Sequence, residues 1–172
     1  MRPESDFFSR LSAFYMITGW YRQQVVKLRV PAMLGFKGYL TLDSDVCCVG
    51  DFDATTFVTG HRALSRWEPK RDQGWWESVA SIVGVPYEAK AHGLSVTPNL
   101  LHGHLAAQAL EFFGSQASDA TSALFKWIVK RLGTVPWTEY SLYTAVAELK
   151  GNLFDYHVFW DPCYFSDVQL FS

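Results

Sequence analysis

The stretch YLTLDSDV, residues 39–46, decides the prediction of the fold. Its first half is a short apolar run of β-forming residues, and two glycines, Gly35 and Gly38, precede it as turn residues. A run of this kind that ends in Asp43-Ser44-Asp45 is typical of a buried strand of a parallel sheet. We therefore predict an α/β fold organised around this strand.

The pattern on both sides of the strand predicts further helices and strands. Apolar residues at helical spacing indicate helices at residues 7–18, 20–29, 75–83, 103–113, 120–132 and 138–149, with Pro31 ending the second of them. Short β-prone runs indicate strands at residues 57–59, 94–97 and 156–159, whereas the polar stretch 66–74 indicates an exposed loop. Strands separated by helices predict a mainly parallel central sheet flanked by helices.

Length and composition limit the class of protein. The 172 residues suit a single domain, residues 1–172, and 49% apolar with 19% charged residues predicts a folded chain. A formal net charge of -2 argues against nucleic acid as a partner. No apolar run is long enough for a transmembrane segment, and the first residues lack a secretory signal pattern, so we expect a cytoplasmic protein.

Several familiar motifs are missing. The three cysteines form neither a disulfide framework nor a zinc pattern, and Cys47 and Cys48, flanked by valines, are predicted to be buried. His61 and His92 have no supporting context and are expected at the surface. The sequence contains no Walker loop, G-x-G-x-x-G, G-x-S-x-G or H-E-x-x-H. These observations argue against P-loop hydrolysis, dinucleotide binding, serine-hydrolase chemistry and zincin chemistry.

Asp43 and Asp45 are the residues best suited to chemistry. In an extended segment, residues i and i+2 project to the same side, so both carboxylates are expected at one edge of the sheet. Oxygen ligands of this kind hold Mg²⁺ or Mn²⁺ and leave positions for substrate phosphate oxygens. A second copy, Asp51-Phe52-Asp53, lies in a glycine-containing loop, where solvated turn aspartates are the ordinary explanation. The first copy therefore predicts a metal-diphosphate site.

Four segments taken together are more specific than this motif. They are GWYRQQVVKL (residues 19–28), YLTLDSDV (39–46), SVTPNLLHGHL (95–105) and WTEYSLYTAV (137–146). In this order they resemble glycosyltransferases of the GT-A fold, and in particular a bacterial domain family of unknown function related to those enzymes. The resemblance implies a metal-dependent glycosyltransferase that uses Mn²⁺ or Mg²⁺ and moves a sugar from a nucleotide-sugar donor to a hydroxyl-bearing acceptor.

The resemblance also implies roles for residues near the donor. Asp43 would contact the ribose or sugar of the donor and share the metal ion, and Asp45 would hold that ion against the diphosphate. Arg22, Gln23 and Lys27 would lie near the donor, on the helix that precedes the strand. A solvated cationic helix face explains this part of the helix equally well from the sequence.

Other residues are assigned to the acceptor or the metal. Glu139, in WTEYSLY, is implied as the base that deprotonates the acceptor hydroxyl. The same residue lies in the first turn of a helix capped by Thr138, where a carboxylate is favoured without a catalytic role. His157 is implied as a late metal ligand, although a histidine in an apolar strand is more often a hydrogen-bonded core residue. Asn99 and His102, near a predicted strand end, are assigned to the acceptor.

Alternatives remain open. Only 42 residues precede Asp43, fewer than the nucleotide-binding half that normally comes first in the GT-A fold. This favours a shortened or minimal enzyme, a non-catalytic remnant, or a chain completed by a second copy in a homodimer or by another subunit. LTLDSDV also resembles haloacid-dehalogenase-like phosphatases, in which Asp43 would be the nucleophile and Asp45 the acid/base beside Mg²⁺. The second acidic motif of that group is not found downstream.

Overall fold

The computed structural model describes residues 19–47, 50–70, 74–88, 91–94, 97–112 and 136–159. The helices there are α1 (Gly19–Leu34), α2 (Gly74–Val83), α3 (Gly103–Glu111), α4 (Glu139–Leu149) and the short α5 (Leu153–Tyr156). The strands are β1 (Gly38–Thr41), β2 (Val58–Thr59), β3 (Arg62–Ser65), β4 (Trp67–Pro69), β5 (His92–Leu94), β6 (Asn99–His102) and β7 (His157–Phe159), with a 3-10 turn at Ala54–Phe57. The helices predicted at residues 7–18 and 120–132 lie outside the described residues.

The described strands form three small sheets. β1 pairs antiparallel with β6, β4 pairs antiparallel with β5, and β3 pairs antiparallel with β2 and parallel with β7. The mixed α/β class is confirmed, but among the described strands the β3–β7 pair alone is parallel, so the expected mainly parallel sheet is not found there. That expectation assumed single helical crossovers between neighbouring strands, whereas β2 to β5 and α2 lie between β1 and β6 in sequence.

Helix α4 lies at the centre of the core. Residues 139–147 are all buried, and the helix packs against α1, α2, α3 and β5. A helix covered on every side also buries its polar side chains, which then need partners within the protein. Its first turn is fixed by a reciprocal cap, in which the side chain of Thr138 accepts from the Ser141 N–H and Ser141 accepts from the Thr138 N–H. The predicted helix and its Thr138 cap are confirmed.

Helix α1 continues through Pro31 to Leu34, so the prediction that Pro31 ends it was wrong. Pro31 lies in the last turn, where its missing N–H leaves the Lys27 carbonyl without the usual helical donor but does not break the helix. Gly35, at φ 70°, then reverses the chain, and its N–H donates to the Pro31 carbonyl at 2.8 Å. This turn brings β1 back alongside α1.

β6 passes directly into α3 at Gly103. A Cβ at this position would collide with the Phe36 carbonyl oxygen, and the Gly103 N–H donates to the Lys37 carbonyl at 2.8 Å. Glycine is required because the loop after α1 approaches the backbone so closely. The sequence predicted α3 but missed β6, because Pro98 was expected to close the strand before it. Of that predicted strand, Leu94 lies in β5, which starts at His92, whereas Thr97 lies in a bend before β6.

The stretch 66–74, predicted as an exposed loop, contains β4 and the buried Lys70. The Lys70 ammonium lies 2.8 Å from both carboxylate oxygens of Glu148 and 5.2 Å from the centroid of the Trp76 ring. The apolar stem of the lysine packs in the protein while its charge is paired, which explains how a polar sequence becomes part of the core. Residues 71–73 lie outside the described residues.

Surface residues test further predictions. His61 and His92 are exposed, as predicted. Cys47 was predicted to be buried and is exposed, because the chain has already left β1 there. Cys48 and Cys163 lie outside the described residues. Within the described part of the chain, no helix is long and apolar enough to cross a membrane.

Candidate functional site

Three charged side chains from distant parts of the sequence meet where α1, α4 and the end of β1 come together. The Lys27 Nζ atom lies 2.8 Å from Oδ1 of Asp43 and 2.7 Å from Oε1 of Glu139. These three residues are called the ionic cluster below. Lys27 is 16 residues from Asp43 and 112 from Glu139, so tertiary folding creates the cluster. The structure thus joins three of the predicted site residues.

The members of the ionic cluster differ in exposure. The side chain of Glu139 is 2% exposed, that of Lys27 is 12% exposed and that of Asp43 is 45% exposed. A carboxylate buried without a counter-ion is very costly, so Lys27 is the group that allows Glu139 to be charged inside the protein. Asp43 keeps its contact with solvent, and it is the carboxylate of the cluster that can reach a ligand.

Burial and charge act in opposite directions on the pKa values of the cluster. Burial alone would lower the pKa of Lys27, but the charge of Glu139 and the hydrogen bonds to Asp43 and Glu139 outweigh it and raise the pKa. Burial raises the pKa of Glu139, and the charge of Lys27 only partly opposes this. Lys27 therefore stays protonated at neutral pH, whereas Glu139 takes up a proton more readily than an exposed glutamate.

Two neutral side chains help to hold Asp43 and Glu139 in place. The Thr97 hydroxyl donates to Oδ2 of Asp43 at 3.0 Å, so both carboxylate oxygens of Asp43 have protein donors. The backbone N–H of Glu139 donates to Oε1 of Gln24 at 3.1 Å, which ties the first turn of α4 to α1. Neither Thr97 nor Gln24 was predicted as a site residue. The spacing of three residues between Gln24 and Lys27 was the signal that both share one helix face.

The next residue of α4, Tyr140, connects the cluster to β1. Its hydroxyl lies 2.6 Å from Oγ1 of Thr41, and Thr41 Oγ1 donates to the Asn99 carbonyl at 2.8 Å. Because the threonine hydroxyl has one proton, Tyr140 is the donor in the first bond. The Lys27 ammonium lies 5.6 Å from the centroid of the Tyr140 ring, within the range of a cation–π interaction. Tyr140 therefore holds the end of β1 beside Lys27.

An open pocket of about 500 Å³ lies between α1 and β1. This volume falls within the range of small-molecule sites. Val26, Lys27 and Val30 line it from α1, and Phe36 and residues 38–42 line it from the other side. Lys27 lines the pocket, and its partner Asp43 follows directly on the last lining residue, so the ionic cluster adjoins the pocket.

Asp43 and Asp45 lie on a turn and not on one extended segment. β1 ends at Thr41, and the Val46 N–H donates to the Asp43 carbonyl at 3.2 Å. The short polar sequence Asp-Ser-Asp favours such a turn over continued strand. Asp45 is exposed on it. The expected alignment of the two carboxylates by strand geometry is therefore absent, although both follow β1 closely.

The second copy of the motif has a local structural role. Asp51 and Asp53 are both exposed, and the Asp53 side chain accepts from the Thr55 N–H at 2.8 Å to cap the 3-10 turn. Hydrogen bonds from Thr55 lower the pKa of Asp53. The prediction of solvated turn aspartates here is confirmed.

His157 lies buried in β7 between two hydroxyl groups. Oγ of Ser65 is 2.7 Å from its Nδ1, and the Tyr143 hydroxyl is 2.7 Å from its Nε2. Ser65, Tyr143 and His157 are called the histidine cluster below. Burial, aided by the charge of His102, lowers the pKa of His157 to about 3, so the imidazole is neutral. With both ring nitrogens hydrogen-bonded, this arrangement matches the core-histidine alternative and leaves no ring nitrogen open to a metal.

The remaining predicted residues lie on α1 and β6. Asn99 is buried, and its Oδ1 accepts a backbone hydrogen bond at 3.2 Å. His102 is half-buried, and its backbone N–H donates to the Tyr143 hydroxyl at 3.0 Å. These contacts hold β6 in place, and an acceptor role for either residue stays a prediction. On α1, Arg22 is half-buried, and Gln23 is exposed one turn before Lys27.

The fold and the site define a mixed α/β protein with a buried ionic cluster beside an open pocket. Over residues 1–169 the chain matches a family of unknown function (DUF6492), and it belongs to that family. No curated protein and no solved structure matches the chain.

Proposed function

We propose that the protein is a glycosyltransferase that moves a sugar from a nucleotide-sugar donor to a hydroxyl-bearing acceptor with the help of Mn²⁺ or Mg²⁺. The position of Asp43 carries the proposal. Its half-exposed carboxylate is held by Lys27 and Thr97, and Lys27 lines an open pocket. A carboxylate fixed in this way accepts hydrogen bonds from ribose or sugar hydroxyls. The resemblance of the sequence segments to GT-A enzymes implies the same role.

The charge of the site supports the use of a divalent cation. The ionic cluster has two carboxylates against one ammonium, and Asp45 adds a carboxylate two residues after Asp43. A nucleotide diphosphate is itself anionic, so it needs a cation beside these groups. Asp43 and Asp45 offer the oxygen ligands that Mg²⁺ and Mn²⁺ accept, and one or two protein carboxylates suffice when phosphates and waters complete the shell.

A metal held in this way would neutralise the diphosphate and stabilise it as the leaving group. In the described part of the chain, no three His, Cys, Asp or Glu side chains lie together as a metal-binding group. We propose that a cation is shared between Asp43, Asp45 and the phosphate oxygens of the substrate, because carboxylate and phosphate oxygens are ligands that Mg²⁺ and Mn²⁺ accept. His157 is not needed for it.

Glu139 takes a modified role in this proposal. Its side chain is 2% exposed and bonds Lys27, so Glu139 is more deeply buried than the lysine that lines the pocket. We assign it the positioning of Lys27 rather than direct proton transfer from the acceptor. Glu139→Gln keeps a hydrogen-bond acceptor for Lys27 while removing the charge, so donor affinity and transfer rate should change together. A large loss of transfer rate at unchanged donor affinity would instead indicate that Glu139 is the base that deprotonates the acceptor.

The decisive experiment is isothermal titration of the protein with a panel of nucleotide sugars, each measured with Mn²⁺, with Mg²⁺ and with a chelator. One donor should bind in the presence of metal and lose most of its affinity in the chelator. Asp45→Asn should weaken this binding by at least about tenfold, because it removes a charged oxygen ligand. Asp51→Asn is the matched control, since Asp51 is an exposed aspartate of the second copy of the motif.

The outcomes separate the candidate functions. Failure of every nucleotide sugar to bind, or equal effects of the Asp45 and Asp51 variants, would overturn the proposal. Metal-dependent donor binding without transfer to any hydroxyl acceptor would favour the non-catalytic or partner-completed alternative. Release of phosphate from a simple aryl phosphate would favour the phosphatase.

A further inference from the structure

The pocket between α1 and β1 has mostly apolar walls. Val26 and Val30 face it from α1, Leu40 and Leu42 from β1 and the residue after it, and Phe36 from the loop between them. Phe36 is 51% exposed and Leu42 is 39% exposed, so apolar side chains also reach the surface at this pocket. Water in contact with these walls is displaced favourably by an apolar group.

Among the described residues that line the pocket, Lys27, Tyr39 and Thr41 have polar side chains. The ammonium of Lys27 is bonded to Asp43 and Glu139 and has a third proton available. The Thr41 hydroxyl is already engaged by Asn99 and Tyr140. The Tyr39 hydroxyl is buried, so among the described side chains a polar group of a ligand finds partners at Lys27 and the adjoining Asp43.

Charge decides which polar group a ligand can place there. The two carboxylates of the ionic cluster outnumber its single ammonium, so an anionic group that enters without a metal is repelled. A neutral hydroxyl has no such penalty. It can donate to the half-exposed carboxylate of Asp43 and accept from Lys27.

We propose that this pocket binds the acceptor, and that the acceptor is a neutral lipid-like alcohol whose hydroxyl lies at Asp43 and Lys27 and whose apolar chain lies along Val26, Val30, Phe36 and Leu40. The inference rests on the proposed glycosyltransferase function and adds the substrate class. Asp43 then contacts the acceptor hydroxyl as well as the donor and its metal, so the two substrates meet at this carboxylate.

The experiment is a titration of the ¹⁵N-labelled protein with 1-butanol, 1-hexanol and 1-octanol, followed by the amide shifts of residues 38–42. Each added methylene should tighten binding by about fourfold until the pocket is full, since a buried CH₂ contributes about 0.8 kcal/mol. 1-Octyl phosphate should bind more weakly than 1-octanol because of its charge. Equal binding of all three alcohols, shifts scattered over the whole protein, or tighter binding of the phosphate would overturn the proposal.

Variants at the exposed apolar residues test the location. Phe36→Ala should weaken 1-octanol binding by about fivefold, because part of a phenyl contact is lost. Leu42→Ser is a second variant that should act in the same direction. Phe52→Ala is the matched control, because Phe52 is 46% exposed and does not line the pocket, and it should leave the affinity unchanged. Equal effects of the Phe36 and Phe52 variants would contradict the assignment.

Competition separates this inference from the function on which it rests. The nucleoside part of the donor, offered as free uridine or guanosine, should not displace 1-octanol from residues 38–42. Displacement would mean that the pocket binds the donor base, which overturns the acceptor assignment but leaves the transferase proposal standing. Alkanol binding by a protein that binds no nucleotide sugar would instead overturn the proposed function.

Discussion

The ionic cluster and the histidine cluster are two buried polar groups supported by the same helix. Glu139 begins α4 and pairs with Lys27, and Tyr143, one turn later, bonds His157. The histidine cluster is neutral and its histidine and serine are completely buried, with both ring nitrogens bonded. The ionic cluster is charged, and its member Asp43 remains half-exposed beside a pocket. Both clusters are therefore well hydrogen-bonded, but one is neutral and buried whereas the other is charged and partly exposed to solvent.

This difference separates a structural cluster from a candidate functional one. Neutral hydroxyl and imidazole groups can be buried at low cost when each finds a partner, and they then join β3, β7 and α4. Charged groups are costly to bury even in pairs, so hydrophobic replacements are often as stable. A charged cluster that reaches solvent beside a pocket is thus a candidate for ligand binding. The following predictions test this contrast.

The largest effect is expected from Lys27→Met. The variant keeps the aliphatic stem but leaves Glu139 buried without a counter-ion, which should lower the free energy of unfolding by about 3 kcal/mol at pH 7. Urea unfolding measures the loss. A second substitution, Glu139→Gln, in the same chain should restore part of the stability because it removes the unpaired charge.

Lys70→Met is the matched control for that prediction. Lys70 is also buried and paired, but its partner Glu148 is 31% exposed and can be rehydrated when the lysine is lost. Its loss should be about 1 kcal/mol. If the Lys27 variant were no less stable than the Lys70 variant, Glu139 would not depend on its counter-ion, and the contrast between the clusters would fail.

The histidine cluster should make the free energy of unfolding fall as the pH is lowered. The folded-state pKa of His157, about 3, lies below the unfolded value of about 6.5, so the unfolded chain binds a proton first as the pH falls. The stability that neutral His157 contributes is complete above about pH 6.5 and is lost as the pH falls towards 3. The slope approaches 1.4 kcal/mol per pH unit, which gives about 2 kcal/mol between pH 6.5 and pH 5.

Urea unfolding of the unmodified protein and of the His157→Gln variant between pH 6.5 and pH 5 isolates this contribution. Glutamine can still donate and accept hydrogen bonds, but it does not titrate, so the variant should lose the slope between pH 6.5 and pH 5. The difference in slope is the quantity to compare, because glutamine changes the stability at every pH. An unchanged slope in the variant would mean that another group, such as His102, whose pKa burial also lowers, causes the acid sensitivity.

Two tyrosines of α4 allow a matched comparison by removal of one oxygen. Tyr143→Phe leaves His157 Nε2 and the His102 N–H without their buried partner, which should lower stability by about 2 kcal/mol. Tyr140→Phe removes one bond to Thr41, which keeps its bond to the Asn99 carbonyl, so about 1 kcal/mol is expected. Thermal unfolding of both variants measures the difference. Equal losses of stability would contradict the two hydrogen bonds of the Tyr143 hydroxyl, to His157 and to the His102 N–H.

The sequence predicted the local elements better than their arrangement. Hydrophobic periodicity, β-prone runs and capping residues correctly predicted helices α2, α3 and α4, strands β1 and β7, and the Thr138 cap. The pairing of β1 with β6 was not predicted, because the sequence of a four-residue strand does not indicate which strand it pairs with or in which direction. Pro31 was misread because a proline in the last helical turn costs much less than one in the middle.

The site was predicted in its residues and not in its geometry. The Asp-x-Asp motif brought Asp43 into the candidate set, the resemblance added Lys27 and Glu139, and these three do meet. Their direct ion pairs follow from the packing of α1 against both α4 and β1, which no local pattern encodes. Thr97 is a similar case, since nothing in its neighbourhood of the sequence indicates a bond to Asp43 across 54 residues.

The smallest effects are expected at the two aspartates that follow β1. Asp45→Asn should change the free energy of unfolding by no more than about 0.5 kcal/mol, because an exposed turn carboxylate contributes little to stability. Asp43→Asn should cost about 1 kcal/mol, because it weakens one ion pair of Lys27 at a half-exposed position. Urea unfolding distinguishes the two. If Asp45 is nearly irrelevant to stability yet essential to metal-dependent donor binding, its role lies in the ligand and not in the fold. A large loss of stability in Asp45→Asn would remove that distinction, because weaker donor binding by the variant would then follow from a disturbed structure.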